Sequence, residues 1–101
     1  MFPARRDKNE KPIVKALRAA GASVQYLNDT GAPDLLVGHQ GKMFLLEVKA
    51  EHGKAESHGK KTESGLRETQ ERWWKAWHGP SPVIVTNSEE ALRAIGVSLL
   101  V

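Results

Sequence analysis

The sequence feature that most constrains the fold is a pair of apolar segments, residues 34–37 and 42–49, with only four residues between them. The spacer contains two glycines, so it favours a tight hairpin and makes the two segments neighbouring antiparallel strands. Residues 43–46 are all apolar, whereas a strand with one face in water alternates apolar and polar residues. We therefore expect a sheet that helices cover.

The spacing of the remaining apolar residues predicts three helices. The first should begin after Asn9, whose side chain can cap it, and run to about Ala20. The second should span residues 66–78, before a Gly-Pro pair that stops it. The third should span residues 89–95, with Ser88 as its cap.

Short apolar runs predict the other strands. We expect strands at residues 22–27 and 83–85, and residues 97–101 could add one more at the edge. Residues 51–65 contain three glycines and no large apolar residue, which is typical of a mobile loop. The resulting order, αβββαβα, predicts an α/β fold in which helices flank a mixed central sheet of about four strands.

Length and composition narrow the class of protein. The 101 residues leave room for one domain, which we place at residues 9–101 behind a flexible basic leader at residues 1–8. The absence of cysteine excludes disulfides and thiolate metal sites. No apolar run approaches the roughly 20 residues of a membrane helix, and the N-terminus lacks the apolar stretch of a secretory signal. We expect a cytoplasmic protein.

Basic residues are concentrated at the N-terminus. The net charge is +3, and residues 1–18 contain six basic residues against two acidic ones. Such a segment could contact phosphates or could be a solvated tail and helix face, and charge alone leaves both interpretations open. The candidate phosphate contacts in the leader are Arg5, Arg6 and Lys8. The candidates in the predicted loop are Lys54, Lys60 and Lys61.

Two acidic residues should meet at one end of the predicted hairpin. Asp34 opens the first strand and Glu47 closes its antiparallel partner, while Glu47 and Lys49 share a face because side chains alternate along a strand. A carboxylate at the end of a buried strand destabilises the fold unless something compensates its charge. A divalent cation such as Mg²⁺ would compensate both acids. In the simpler alternative, Asp34 is a turn residue after Pro33, and Glu47 and Lys49 form a salt bridge.

Two polar residues occupy helix faces that are otherwise apolar. Glu10 shares a face of the first helix with Val14 and Leu17, so it can point inward, although an acid in a first turn also interacts favourably with the helix dipole. Gln70 lies among the apolar residues of the second helix and needs a hydrogen-bond partner there. The three tryptophans of that helix, Trp73, Trp74 and Trp77, cover a wide arc, and we expect two of the three in the core.

The segments Pro33-Asp34 and Glu47-Val48-Lys49 resemble the sequence motif of a known superfamily, the PD-(D/E)xK nucleases. More narrowly, the chain resembles the small, phage-type VRR-NUC proteins, which are related to Holliday junction resolvases. The resemblance extends from about Asn9 to Ile95. The segments that carry it are Asn9-Glu10-x-x-Ile13-Val14, residues 31–38, residues 45–49 and Gln70-x-x-x-Trp74.

The resemblance implies a restriction-endonuclease-like fold and a Mg²⁺-dependent endonuclease, with Mn²⁺ as a substitute. Asp34 and Glu47 would be metal ligands, with the Val48 carbonyl as a third oxygen and Glu10 as an acid from helix one. Lys49 would orient or activate water, and Gln70 would lie near the site. The expected substrate is DNA, with branched or four-way junction DNA favoured, in a bacterial or phage-infected cell.

Two further expectations follow from this resemblance. Symmetric cutting of a junction needs two active sites related by a two-fold axis, so we expect a homodimer. The alternative function is a nucleic-acid-binding module that keeps the same fold without catalysis. Intact Asp34, Glu47 and Lys49 argue against that alternative, because a module that only binds phosphates gains nothing from two carboxylates beside them.

Overall fold

A computed structural model describes residues 8–50 and 60–98 of the chain, and within the second range it describes side chains from residue 68 onward. The predicted order αβββαβα is confirmed. In chain order the elements are α1 (Glu10–Ala19), β1 (Ser23–Tyr26), β2 (Leu35–His39), β3 (Lys42–Val48), α2 (Lys60–Ala76), β4 (Val83–Val85) and α3 (Ser88–Ala94).

The strands form one mixed sheet in the order β1-β2-β3-β4. The first three strands are consecutive antiparallel neighbours, and β4 runs parallel to β3. A parallel pair needs a crossover, and the segment that contains α2 provides it. The prediction of an α/β fold with a mixed sheet of four strands is therefore confirmed.

The β2–β3 hairpin closes with a two-residue turn. His39 pairs with Lys42, while Gln40 and Gly41 between them both have positive φ, at 53° and 78°. Positive φ at both central positions is the geometry that matches the twist of a hairpin. The register pairs Leu35 with Leu46, so the next residues beyond this pair are Asp34 and Glu47.

The core lies between one face of the sheet and the helices α1 and α3. Both helices contact each other as well as the sheet. Their buried residues pack with those of the strands because the alternation of side chains puts every second strand residue on this face. The core residues are Ile13, Val14, Leu17, Ala22, Leu35, Val37, Leu46, Val48, Val85, Ala91 and Ile95.

The opposite face of the sheet carries α2. A groove of about 300 Å³ lies between them, and its lining includes Leu36, Leu45, Trp73 and Trp77. The prediction that two tryptophans pack in the core was wrong, since no tryptophan belongs to the buried core. Trp73 and Trp77 instead stack on each other, with ring centroids 4.8 Å apart.

The α2 helix begins earlier than its apolar pattern indicates. It starts at Lys60, six residues before the predicted position, so Lys60 and Lys61 belong to a helix and not to a loop. Residues 60–65 contain no large apolar residue, so apolar periodicity in the sequence does not detect this part of the helix. The part of the predicted loop at residues 51–59 lies outside the described residues.

The helix ends show three further differences from the predictions. Asn87, not Ser88, caps α3, because its side chain accepts a hydrogen bond from the Glu90 N–H at 2.8 Å. Asn9 occupies the N-cap position of α1, but its side chain makes no capping bond. Val97 is not in a strand, because its N–H donates to the Leu92 carbonyl and closes the C-terminus of α3. Residues 99–101 lie outside the described part.

Within the described residues, no helix has the length and apolar composition that crossing a membrane requires.

Gly31 is expected to tolerate substitution poorly. Its φ is +87°, and a Cβ there would lie 2.8 Å from the Thr69 carbonyl oxygen of α2. Gly21 is a matched control, because its φ of +95° is similar and a Cβ would meet nothing within 4 Å. Gly21→Ala should cost about 1–2 kcal/mol for the backbone conformation alone. Gly31→Ala should cost about 1–3 kcal/mol more, because α2 must shift.

Urea denaturation of both variants measures the difference in free energy of unfolding. Equal losses would mean that the segment before β2 does not hold α2 closely.

Candidate active site

Asp34 and Glu47 lie beside each other at one end of the β2–β3 hairpin. They continue the register beyond the pair Leu35 and Leu46, and their side chains lie on the face that α2 covers. The Asp34 carboxylate is fixed there by the backbone, because its Oδ2 accepts a hydrogen bond of 2.8 Å from the Val48 N–H. The Asp34 carbonyl in turn accepts from the Leu27 N–H at 2.9 Å.

Glu47 is a buried carboxylate with one satisfied oxygen. Its residue surface is only 5% exposed. Oε2 accepts a hydrogen bond of 2.7 Å from Gln70 Nε2 and lies 3.3 Å from the Lys49 ammonium. Oε1 is buried and has no hydrogen-bond partner. An unpaired buried oxygen on a charged group destabilises the protein, so this position fits an additional cation or donor.

The pKa of Glu47 is raised above its ordinary value of 4.5. Burial is the largest cause, since it penalises the charged form, and the neighbouring Asp34 carboxylate adds like-charge repulsion. Lys49 and the hydrogen bond from Gln70 act in the opposite direction without cancelling the rise. The two acids therefore repel each other in the absence of a cation.

Lys49 follows directly after β3 and combines a fixed backbone with a partly free side chain. Its N–H donates to the Val85 carbonyl at 3.0 Å, which extends the pairing with β4 by one residue. Its side chain is 48% exposed while the ammonium stays beside Glu47. Because the backbone is held and the long side chain is not, the ammonium can reach both Glu47 and a ligand in front of it.

Asn9 holds the end of β3 in place, a role that the sequence did not reveal. Its Nδ2 donates to the Lys49 carbonyl at 2.9 Å and to the Thr86 carbonyl at 2.7 Å. These bonds join the start of α1 to the ends of β3 and β4. An asparagine before a helix predicts a cap, and nothing in the sequence distinguishes a cap from a side chain that turns toward distant carbonyls.

Glu10 is buried in the first turn of α1, as its position on the apolar face indicated. In residues 8–50 and 60–98, however, no three His, Cys, Asp or Glu side chains are grouped so that they could hold a metal ion. Glu10 therefore does not join Asp34 and Glu47 as a third acid in this structure. The physical reason is that α1 packs on the core face of the sheet, whereas Glu47 faces α2.

An open cleft of about 370 Å³ begins at Glu47 and continues between α2 and β4. Gln70, which the sequence placed near the site, lies here and binds Glu47 directly. Trp74 also lines the cleft, with a buried indole N–H that has no partner. The residues around the cleft besides Glu47 are Lys49, Gln70, Glu71, Trp74, Lys75 and Ile84.

Of the remaining predicted site residues, the structure describes Val48 and Lys8 with their side chains. Val48 lies between Glu47 and Lys49. Its N–H donates a hydrogen bond to the Asp34 carboxylate, and its side chain belongs to the core. Lys8 is exposed just before α1. Arg5, Arg6 and Lys54 lie outside the described residues, and the side chains of Lys60 and Lys61 are not among those described.

Comparison of the chain with protein-family models, curated proteins and solved structures finds no match. The functional argument therefore depends on the geometry and chemistry of the residues described above.

Glu47→Gln is expected to stabilise the metal-free protein at neutral pH. Because the native pKa of Glu47 is raised, the native state binds more protons than the unfolded state between the two pKa values. The contribution of Glu47 to stability is therefore greatest at low pH and falls as the pH rises above 4.5. The neutral glutamine removes that loss, so the advantage of the variant should grow from pH 4 to pH 7.

Urea denaturation in the presence of a chelator measures this effect. Glu89→Gln is the matched control, since Glu89 is an exposed acid paired with Arg93 on α3 and should show little change. A Glu47→Gln protein that is less stable than the wild type at pH 7 would show that the bonds to Gln70 and Lys49 outweigh burial.

Proposed function

We propose that this protein is a Mg²⁺-dependent endonuclease that hydrolyses phosphodiester bonds of DNA. The observation that carries the proposal is the environment of Glu47, which is buried, faces Asp34 and keeps one carboxylate oxygen without a partner. A salt bridge to Lys49 alone does not explain this arrangement, because it leaves Oε1 unsatisfied and the repulsion from Asp34 in place.

The residues at this position fit a hard divalent cation. Asp34 and Glu47 would supply carboxylate oxygens, and the resemblance to the PD-(D/E)xK nucleases adds the Val48 carbonyl. A site with few protein ligands suits Mg²⁺, which keeps several waters and accepts phosphate oxygens as further ligands. The bound ion would polarise the phosphate and lower the pKa of a water molecule. Mn²⁺ should substitute for it.

The protein's own side chains then have distinct tasks. Lys49 lines the cleft with its ammonium beside Glu47, where it would position the attacking water or stabilise charge that develops on the phosphate. Gln70 holds Glu47 through a 2.7 Å hydrogen bond and is a positioning residue. Asn9 donates a hydrogen bond to the Lys49 carbonyl and so holds the backbone from which the Lys49 side chain extends.

A non-catalytic nucleic-acid-binding module is the alternative function. Such a module would place basic groups against phosphates and has no use for two neighbouring carboxylates, which repel a polyanion. The structure offers no observation that favours it over the nuclease. Cleavage by the wild type, measured as below, separates the two functions.

Isosteric changes at the acids should abolish cleavage without unfolding the protein. We expect Asp34→Asn and Glu47→Gln to lower the cleavage rate at least about a hundredfold, because each removes a charge that the cation needs. Glu89→Gln, far from the cleft on α3, should cleave normally. The assay uses labelled duplex, flap and four-way junction DNA with Mg²⁺ or Mn²⁺, and branched DNA should be cut fastest. Normal cleavage by a folded Asp34→Asn protein would refute the assignment.

Lys49→Ala should separate metal binding from turnover. Its ammonium acts on water and phosphate, so we expect a rate about a hundredfold or more lower with a metal affinity within a few-fold of wild type. Lys15→Ala is the control, since Lys15 is exposed on α1. Calorimetry measures metal affinity and the same gel assay measures the rate. A loss of metal binding in a folded Lys49→Ala protein would mean that Lys49 supports the metal site itself.

We also propose that the protein is a homodimer. The groove beside Trp73 and Trp77 exposes apolar surface, and Met43 at its edge is 58% exposed. Light scattering at micromolar concentration should give twice the chain mass of 11.1 kDa. Met43→Lys should shift the protein to the monomer, whereas Lys42→Met at the neighbouring exposed position should not. A wild-type mass near 11.1 kDa would reject the dimer and weaken the case for junction DNA.

A further inference from the structure

The cleft beside Glu47 has two parts of different chemistry. Glu47 and Lys49 lie together at one end, where they are suited to a cation and a phosphate. Further out, the Trp74 indole from α2 and the Ile84 side chain from β4 provide apolar walls. Ile84 pairs in register with Glu47, so the apolar wall begins one strand away from the carboxylate.

The apolar part is unusual for its position. Ile84 is 54% exposed, although a branched aliphatic residue at the centre of a strand normally packs against a neighbour. The cleft of about 370 Å³ is in the range of pockets that hold small ligands, and its lining includes two lysines, Lys49 and Lys75, beside the acidic Glu71. A flat apolar group that carries negative charge would match both the apolar walls and the lysines.

We propose that this cleft binds an unpaired nucleobase next to the phosphate that is cut. The base would lie against the Trp74 indole, Ile84 would close the other side, and Lys75 would contact the neighbouring backbone phosphate. Aromatic side chains bind single-stranded nucleic acid in this way because every base has a flat apolar face. The inference rests on the proposed nuclease function and adds the class of DNA that the site accepts.

The arrangement has a consequence for substrate choice. A base inside a continuous duplex is stacked and paired, so it can enter a cleft only after it leaves the helix, and this costs free energy. A nucleotide at a flap, a branch point or a single strand is already unstacked. The cleft therefore selects DNA in which the nucleotide beside the cut is unpaired, and continuous duplex is a poor substrate.

Binding of short single strands in the presence of a chelator tests the cleft without cleavage. The probes are two labelled hexanucleotides, one of thymidines and one of abasic residues with the same number of phosphates. The wild type should bind the oligonucleotide with bases about tenfold or more tightly than the abasic one. Trp74→Ala should lose that preference while its affinity for the abasic strand stays the same, and Trp74→Phe should retain most of it.

Two further variants distinguish loss of base binding from a general disturbance of the fold. Trp77→Ala removes a tryptophan of the same helix outside the cleft and should keep the preference for bases. Ile84→Ala changes an exposed side chain on the opposite wall and should reduce the preference by a few-fold. Equal binding of both strands by the wild type, or an undiminished preference in folded Trp74→Ala, would overturn the proposal. A change in oligomeric mass in Trp74→Ala would also overturn it, because the cleft would then be an interface between copies.

A cleavage assay in Mg²⁺ distinguishes failure of this inference from failure of the proposed function. The wild type should cut a flap at least tenfold faster than a continuous duplex of the same sequence, and Trp74→Ala should lose that ratio. Cleavage with no dependence on Trp74 would leave the nuclease standing and reject the base cleft. Base-dependent binding with no cleavage under any condition would reject the nuclease and retain the cleft.

Discussion

The register of the β2–β3 hairpin is the constraint on which the rest of the site depends. Pairing Leu35 with Leu46 sets Asp34 opposite Glu47, and the hydrogen bond from the Val48 N–H to Asp34 fixes that arrangement at the end of the ladder. A shift of one residue would turn Leu46 toward α2 and Glu47 into the core, where a carboxylate has no partner. The buried apolar residues that hold the sheet to α1 and α3 therefore also hold the acids in place.

Much of the fold was predictable because its signals are local. Two apolar runs with a glycine-containing spacer gave the hairpin, helical spacing gave α1 and α3, and the parallel strand β4 followed from an apolar triplet after a Gly-Pro pair. The start of α2 was not predictable in the same way, since residues 60–65 form helix although they contain no large apolar residue. Apolar patterns detect only the parts of an element that contain apolar residues.

In the candidate site, too, the local features were predictable and the long-range contacts were not. The alternation of side chains in β3 and the hairpin turn are enough to predict that Asp34, Glu47 and Lys49 lie together, whereas their chemical roles stay predictions. The long-range contacts could not be read from the sequence. Asn9 donates hydrogen bonds to Lys49 and Thr86, which lie 40 and 77 positions further along the chain. Trp74 lines a cleft with Ile84, which belongs to another element. Such contacts depend on how finished elements pack, and no spacing in the sequence records them.

The two hydrogen bonds of Asn9 also have a consequence for the order in which the molecule assembles. They link the first helix to the residue after β3 and to the residue after β4, so they can form only when most of the chain is already in place. The hairpin, by contrast, closes over a two-residue turn and is among the most local structures in the chain. The pairing that brings the acids together therefore needs only local contacts, whereas the bonds from Asn9 to the Lys49 and Thr86 carbonyls need α1, β3 and β4 at the same time. Fraying of α1 at its N-terminus would break these two bonds and leave the pairing of Asp34 with Glu47 intact.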